Sequence, residues 1–143
     1  MRKTPFSPET VLQEHGFKST VLRIFLLQFL NDAPIPLTVA TIIKKTKRLA
    51  DTATTYRALN AFVEKGLVRK LELIEGKASF ELVVDNEHLH HIICDHCHTV
   101  EPIQLCMKNI HERALDKAKK FKYISNHSMS FIGTCKKCIR AIR

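Results

Sequence analysis

Four of the five cysteines stand in two C-x-x-C pairs, Cys94-Asp95-His96-Cys97 and Cys135-Lys136-Lys137-Cys138. Each pair sits on a tight knuckle that aims two thiolates at one ion, and two knuckles complete a closed tetrahedron around Zn²⁺ with no position open to substrate. The separation of the pairs exceeds that of a compact zinc ribbon, so the intervening chain must hold structure of its own, read here as a strand, a helix and a strand. Lys136 and Lys137 offset the negative charge of a zinc–thiolate centre. Disulfide pairing alone does not suit an odd number of cysteines. The start, Met1-Arg2-Lys3-Thr4-Pro5, leads into no apolar stretch with a cleavage site, and no run is long enough to span a bilayer. The expectation is a cytoplasmic chain with no membrane partner, whose cysteines are thiols or metal ligands. A thioredoxin-like redox site does not fit, because neither pair opens a helix after a buried strand. Cys106 reads as a small, partly buried hydrophobe.

At 143 residues the chain suits one domain or two very small ones. Two small ones would each need a metal or a partner chain to be stable. The first part reads as helices: Pro8 to His15 closed by Gly16, an apolar and buried Thr20 to Leu30, Val39 to Lys45 capped by Thr38, and a last one capped by Asp51 or Thr52 and ending at Glu64 before Gly66. Pro34 and Pro36 cannot continue the second helix. The period then changes to two strand-like runs, Leu67–Ile74 and Ala78–Val83, joined by the turn Glu75-Gly76-Lys77. Helices followed by a hairpin are the order of a winged helix-turn-helix. Asp85-Asn86-Glu87 reads as a hinge. The fold class expected is α+β: an N-terminal winged helix-turn-helix over residues 1–84, then a small α/β dimerisation domain with a four-cysteine zinc site over residues 85–143.

Beyond the hinge the composition shifts toward histidine: His88, His90, His91, His96, His98, His111 and His127. His88 to Cys94 looks like a strand leading into the first knuckle. Side chains alternate on a strand, so His88 and His90 share one face and His91 takes the other with Leu89. Two histidines on one face offer two nitrogen ligands, and His111, on a helix near Ile110 to Lys120, and His127, before a strand near Ser128 to Ile132, are candidate partners. Glu81 at the end of the wing is a candidate partner for His91. His15, His96 and His98 read as structural.

The formal charge of +9 is that of a chain that meets nucleic acid or an anionic surface, or is simply soluble. Arg57, Asn60 and Glu64 recur at i, i+3 and i+7, on a helix face away from Leu59, Phe62 and Val63. Arg57 can read guanine or bind phosphate, and the Tyr56 ring can meet a thymine methyl. Lys44, Lys45, Lys47 and Arg48 lie just before that helix, placed for phosphates or forming a solvated face. No small-molecule substrate is expected. A zinc deaminase needs a proline before its C-x-x-C, where Ile93 stands here, and no nucleophile with a base and no phosphate loop is found. The chain reads as a non-enzyme.

Four stretches resemble the ferric uptake regulator family, whose branches sense iron, zinc, or peroxide through iron: Gly16-Phe17-Lys18-Ser19-Thr20-Val21-Leu22-Arg23; Ala53-Thr54-Thr55-Tyr56-Arg57-Ala58-Leu59, close to the family's A-T-V-Y-R-x-L; Phe80-Glu81-Leu82; and the histidine-rich run into the two C-x-x-C pairs. The resemblance implies a homodimer that binds double-stranded operator DNA with an inverted repeat when its sensory metal is loaded, repressing genes of metal homeostasis. It adds Thr55 and Arg23 to Tyr56, Arg57, Asn60 and the basic run as DNA-binding candidates, and gives the four cysteines structural zinc. Of the family's hinge sensory site it leaves Glu81 and His91. The loop Pro34-Ile35-Pro36-Leu37 has no histidine, Leu89 stands where another is usual, and Asp85 or Glu87 is a substitute. The inner sensory site keeps His88, His90 and His127, its usual acidic ligand falling near His111 or Glu112. The glycine usual after the second knuckle cysteine is His98. Nitrogen ligation with few carboxylates favours Zn²⁺ over Fe²⁺ as the sensed ion. The alternatives are an iron- or peroxide-sensing regulator of the same family, and a zinc-ribbon nucleic-acid adaptor that senses nothing.

Overall fold

The computed structural model describes residues 5–74, 76–83, 89–105, 107, 109–125 and 127–142, with the backbone alone for Ile142. Glu75, the expected hinge Asp85-Asn86-Glu87, His88 and Cys106 lie outside the described residues. The chain divides into two compact units, Met1–Asp85 and Asn86–Arg143.

The first unit opens with four helices, α1 (Pro8–Glu14), α2 (Val21–Asp32), α3 (Val39–Thr46) and α4 (Thr52–Glu64). Each has a side-chain cap on its first turn: Ser7, Thr20, Thr38 and Asp51 accept from backbone amides that would otherwise be orphaned. Helix α4 stops because Gly66 takes φ +72°, left-handed backbone that costs glycine nothing. There the Gly66 amide donates to the Val63 carbonyl at 3.0 Å and the Leu67 amide to the Phe62 carbonyl at 2.9 Å, a Schellman closure. The chain emerges from it directly into β2 (Val68–Ile74), which pairs antiparallel with β3 (Lys77–Leu82) as the wing.

A two-residue strand, β1 (Leu37–Thr38), was not foreseen. It lies on the other side of β3, Leu37 opposite Phe80 and Thr38 opposite Ser79, giving the sheet order β1-β3-β2. The core gathers Leu12, Leu26, Leu27, Leu30, Ile42, Leu59, Phe62 and Phe80, with Phe17 set edge-on to Phe62 at 5.2 Å. Helix α2 is less buried than its composition suggests: Leu26, Leu27 and Leu30 face the core, Val21 is 71 % exposed, and Phe25 and Phe29 stack half-buried. Its packed neighbours α1, α3 and β3 do not surround it, so being apolar all round does not bury it all round.

Among its described residues the second unit has a three-stranded sheet ordered β5-β4-β6 and two short helices. Central β4 (His90–Cys94) runs antiparallel to β5 (Val100–Ile103) and parallel to β6 (Ser130–Gly133). Helix α5 (Ile110–Lys117) ends three residues earlier than the expected Lys120, because Ala118 is extended. A further helix, α6 (Lys136–Ile142), grows from the second knuckle and was not foreseen. No helix among the described residues is long and apolar enough to cross a membrane.

Candidate metal centres and reading helix

The parallel pairing of β4 with β6 sets Cys94 opposite Gly133, and this brings the two knuckles together. Cys94 ends β4, and Cys135 precedes the first turn of α6. The Asp95 amide donates to the Gly133 carbonyl at 2.9 Å, and the Thr134 hydroxyl donates to the Asp95 carboxylate at 3.1 Å, so the knuckles are clamped beside their sulfurs. The four Sγ atoms of Cys94, Cys97, Cys135 and Cys138 all lie within 4.8 Å of one another, with 3.7 Å between Cys97 and Cys135. Four sulfurs bound tetrahedrally at the usual Zn–S length would stand about 3.8 Å apart, so the donor set fits Zn²⁺.

Hydrogen bonding has already divided the thiols. Backbone amides of Cys97 and Cys135 draw the Cys94 pKa down to about 6. The Thr99 hydroxyl, 3.1 Å from the Cys97 sulfur, lowers that thiol too. Contacts with the Cys97 and Cys135 sulfurs push Cys138 up to about 12. Bound zinc would displace the remaining protons and close the site as a structural staple. The first knuckle turns through His98, whose φ of 59° is left-handed and whose amide donates to the Cys94 carbonyl at 3.0 Å. A residue with a Cβ costs about 1–2 kcal/mol in that conformation, and histidine tolerates it better than most.

A second constellation is built of imidazoles. His90 on β4 is buried, His111 sits in the first turn of α5, and His127 precedes β6. His111 Nε2 is 2.7 Å from His127 Nδ1, and the His90 and His127 ring centres are 5.2 Å apart. Three of the four expected inner ligands thus come together, and the fourth, His88, lies outside the described residues. Glu112 is exposed at the neighbouring α5 position. His91 follows His90 on β4 and so takes the opposite face of the strand, where it is also buried.

Glu81 meets a residue that sequence reasoning missed. On the adjacent strand, in register, the Arg69 guanidinium lies 3.0 Å from its carboxylate, both side chains largely buried. The pairing depends on a register shift in the hairpin between Glu72 and Ile74, so a plain count from the turn would not have found it.

On α4 the face bearing Arg57, Asn60 and Glu64 is exposed, with Tyr56 beside it, while Leu59 and Phe62 are fully buried. Arg57 donates to the Thr54 hydroxyl at 3.2 Å. Lys44, Lys45, Lys47 and Arg48 are all exposed at the end of α3 and in the turn beyond it. Thr55 does not belong with the DNA contacts: it is fully buried, its hydroxyl 3.1 Å from that of Thr46, because α4 turns position 55 toward the core. Arg23 is half-buried, its guanidinium 5.1 Å from the Phe17 ring centre and donating to the Lys18 carbonyl at 3.2 Å, so it braces the start of α2.

The sequence profile of the Ferric uptake regulator family matches residues 14–132. The chain is 32 % identical to the ferric uptake regulation protein of Escherichia coli (strain K12) over 133 residues, covering 88 % of this chain and 86 % of that one. It is 31 % identical to the protein of that name from Vibrio parahaemolyticus over 129 residues, covering 87 % and 85 %. The crystal structure of the Vibrio cholerae ferric uptake regulator superposes with a TM-score of 0.65 at 29 % identity, over 89 % of this chain and 98 % of that one.

Proposed function

The chain belongs to the ferric uptake regulator family of DNA-binding, metal-responsive transcription regulators, and from that premise we propose that it is a cytoplasmic, dimeric repressor that closes on an inverted-repeat operator when Zn²⁺ fills its histidine site. The observation that carries this reading is the convergence of His90, His111 and His127 from three separate elements. Imidazole nitrogens with few hard oxygen ligands suit zinc. An ion drawing these rings together would tie β4, α5 and the segment before β6 into one arrangement, and its tighter binding to that arrangement is what would shift the protein toward DNA. The four cysteines hold a separate, structural zinc. The Glu81 carboxylate is already engaged by Arg69. In α4, Tyr56, Arg57 and Asn60 face the groove, with the basic run on the flanking phosphates.

The test is operator affinity against free Zn²⁺ for the native protein and for His127→Ala, with bound metal measured in both. The variant should keep its structural zinc, lose the further ion and lose zinc-dependent binding. Native binding that is indifferent to zinc would overturn the proposal. Iron is the second reading, favoured by the names of the two relatives above, both ferric uptake regulation proteins. An anaerobic titration with Fe²⁺ that restores operator binding at lower free metal than Zn²⁺ would select it.

A further inference from the structure

The turn between α3 and α4 is organised around one threonine. The Thr46 carbonyl accepts from the amides of Leu49 at 2.7 Å and Ala50 at 3.1 Å, folding the turn over the end of α3. Its hydroxyl lies 3.1 Å from the Ile42 carbonyl and 3.1 Å from the Thr55 hydroxyl in the first turns of α4. Both threonines are fully buried, and with Ser79 they are the buried polar side chains among the described residues of the first unit. Each hydroxyl has one proton. The arrangement that gives each an acceptor has Thr46 donating to Ile42 and Thr55 donating to Thr46. This links the end of one helix to the start of the next by a bond with a fixed length and direction.

An apolar pair would fill the same space with no directional preference. Tyr56 and Arg57 follow Thr55 immediately and point outward from the same helical turn. Whatever fixes the pitch of α4 at Thr55 therefore fixes the angle at which those two side chains are presented.

We propose that the buried Thr46–Thr55 hydroxyl pair is a positioning device that sets the angle of α4 against α3 and so the sequence discrimination of the DNA-reading face. The proposal rests on the reading that α4 enters the groove. Base-edge hydrogen bonds depend steeply on angle, while phosphate contacts from the flexible lysines of the basic run do not. Loosening the pair therefore lowers operator affinity and spares affinity for random DNA.

The experiment compares the ratio of operator to random-DNA affinity, at one fixed salt and metal concentration, for the native dimer, Thr55→Val, Thr55→Ser and Arg57→Ala. Thr55→Val keeps the shape and leaves Thr46 its Ile42 acceptor, so the protein stays folded. The ratio should fall, by at most roughly fivefold, the factor reached if the whole net worth of one hydrogen bond were lost from operator binding alone. Thr55→Ser keeps the hydroxyl and restores it. A merely structural role would lower both affinities together, through the folded fraction, and leave the ratio unchanged. That result, or failure of Thr55→Ser to restore discrimination, overturns the proposal. Arg57→Ala separates the two claims: if it leaves both affinities intact, α4 is not the reading helix and the proposal falls with that reading. If it lowers operator binding while Thr55→Val has no effect on the ratio, the positioning role alone is refuted.

Discussion

Withdrawing zinc should unfold the second unit and leave the first standing. Among the described residues, the buried apolar side chains of the second unit are Ile93 and Cys94, against eleven in the core of the first. Full burial of an aliphatic side chain contributes about 1.5–3 kcal/mol, and Cys94 is itself one of the four clustered sulfurs. A structural Cys₄ zinc contributes ~10 kcal/mol or more. The metal therefore outweighs the apolar burial severalfold, and a unit of this size without it falls below what a small core sustains. Native-state hydrogen exchange resolves the two units residue by residue. After stripping with a strong chelator, the amides of β4, β5 and β6 should exchange at nearly unfolded rates, while those of α2 and α4 keep their protection. Adding back Zn²⁺ should restore the sheet. If protein verified free of zinc retains protection along β4, apolar packing or the partner chain holds the unit, and the reasoning from its thin core is wrong.

Two further outcomes are specific. Arg57→Ala should cost about 1–3 kcal/mol of operator binding if it reads a base, and Tyr56→Ala should weaken the same complex, both leaving zinc content and dimerisation intact; equal loss on operator and random DNA in a filter-binding assay would make Arg57 a phosphate contact. His98→Gly should stabilise the zinc-loaded second unit by about 1 kcal/mol in urea denaturation, the relief of left-handed strain exceeding the added entropy of the unfolded glycine; a destabilised variant would mean that the imidazole makes a contact worth more than the strain.

The elements that could be read from the sequence were those whose ends are written in local chemistry. Helix α4 has an aspartate cap, a one-sided apolar face and a glycine at its end, and each of these reappears as a bond or a burial. The two C-x-x-C pairs were equally plain, since thiolate spacing is itself the geometry of the site. What escaped depends on pairing at a distance. Strand β1 is two residues long and exists only because β3 lies beside it. Arg69 looked like one more surface charge until the hairpin register set it against Glu81. Thr55 was grouped with the DNA contacts because it adjoins Tyr56 and Arg57 in the motif, yet 100° of helical turn per residue carries it to the other side. The histidine cluster was legible in its members, but the 2.7 Å approach of His111 to His127 required the fold.

The smallest strand has the largest mechanical consequence. Leu37 and Thr38 are stitched to the wing through Phe80 and Ser79, and the Thr38 hydroxyl also accepts the Thr41 amide that starts α3. The wing and the helix-turn-helix thus share a crossbeam that ties the movement of one to the other. A displacement of either is therefore transmitted to the other through this strand.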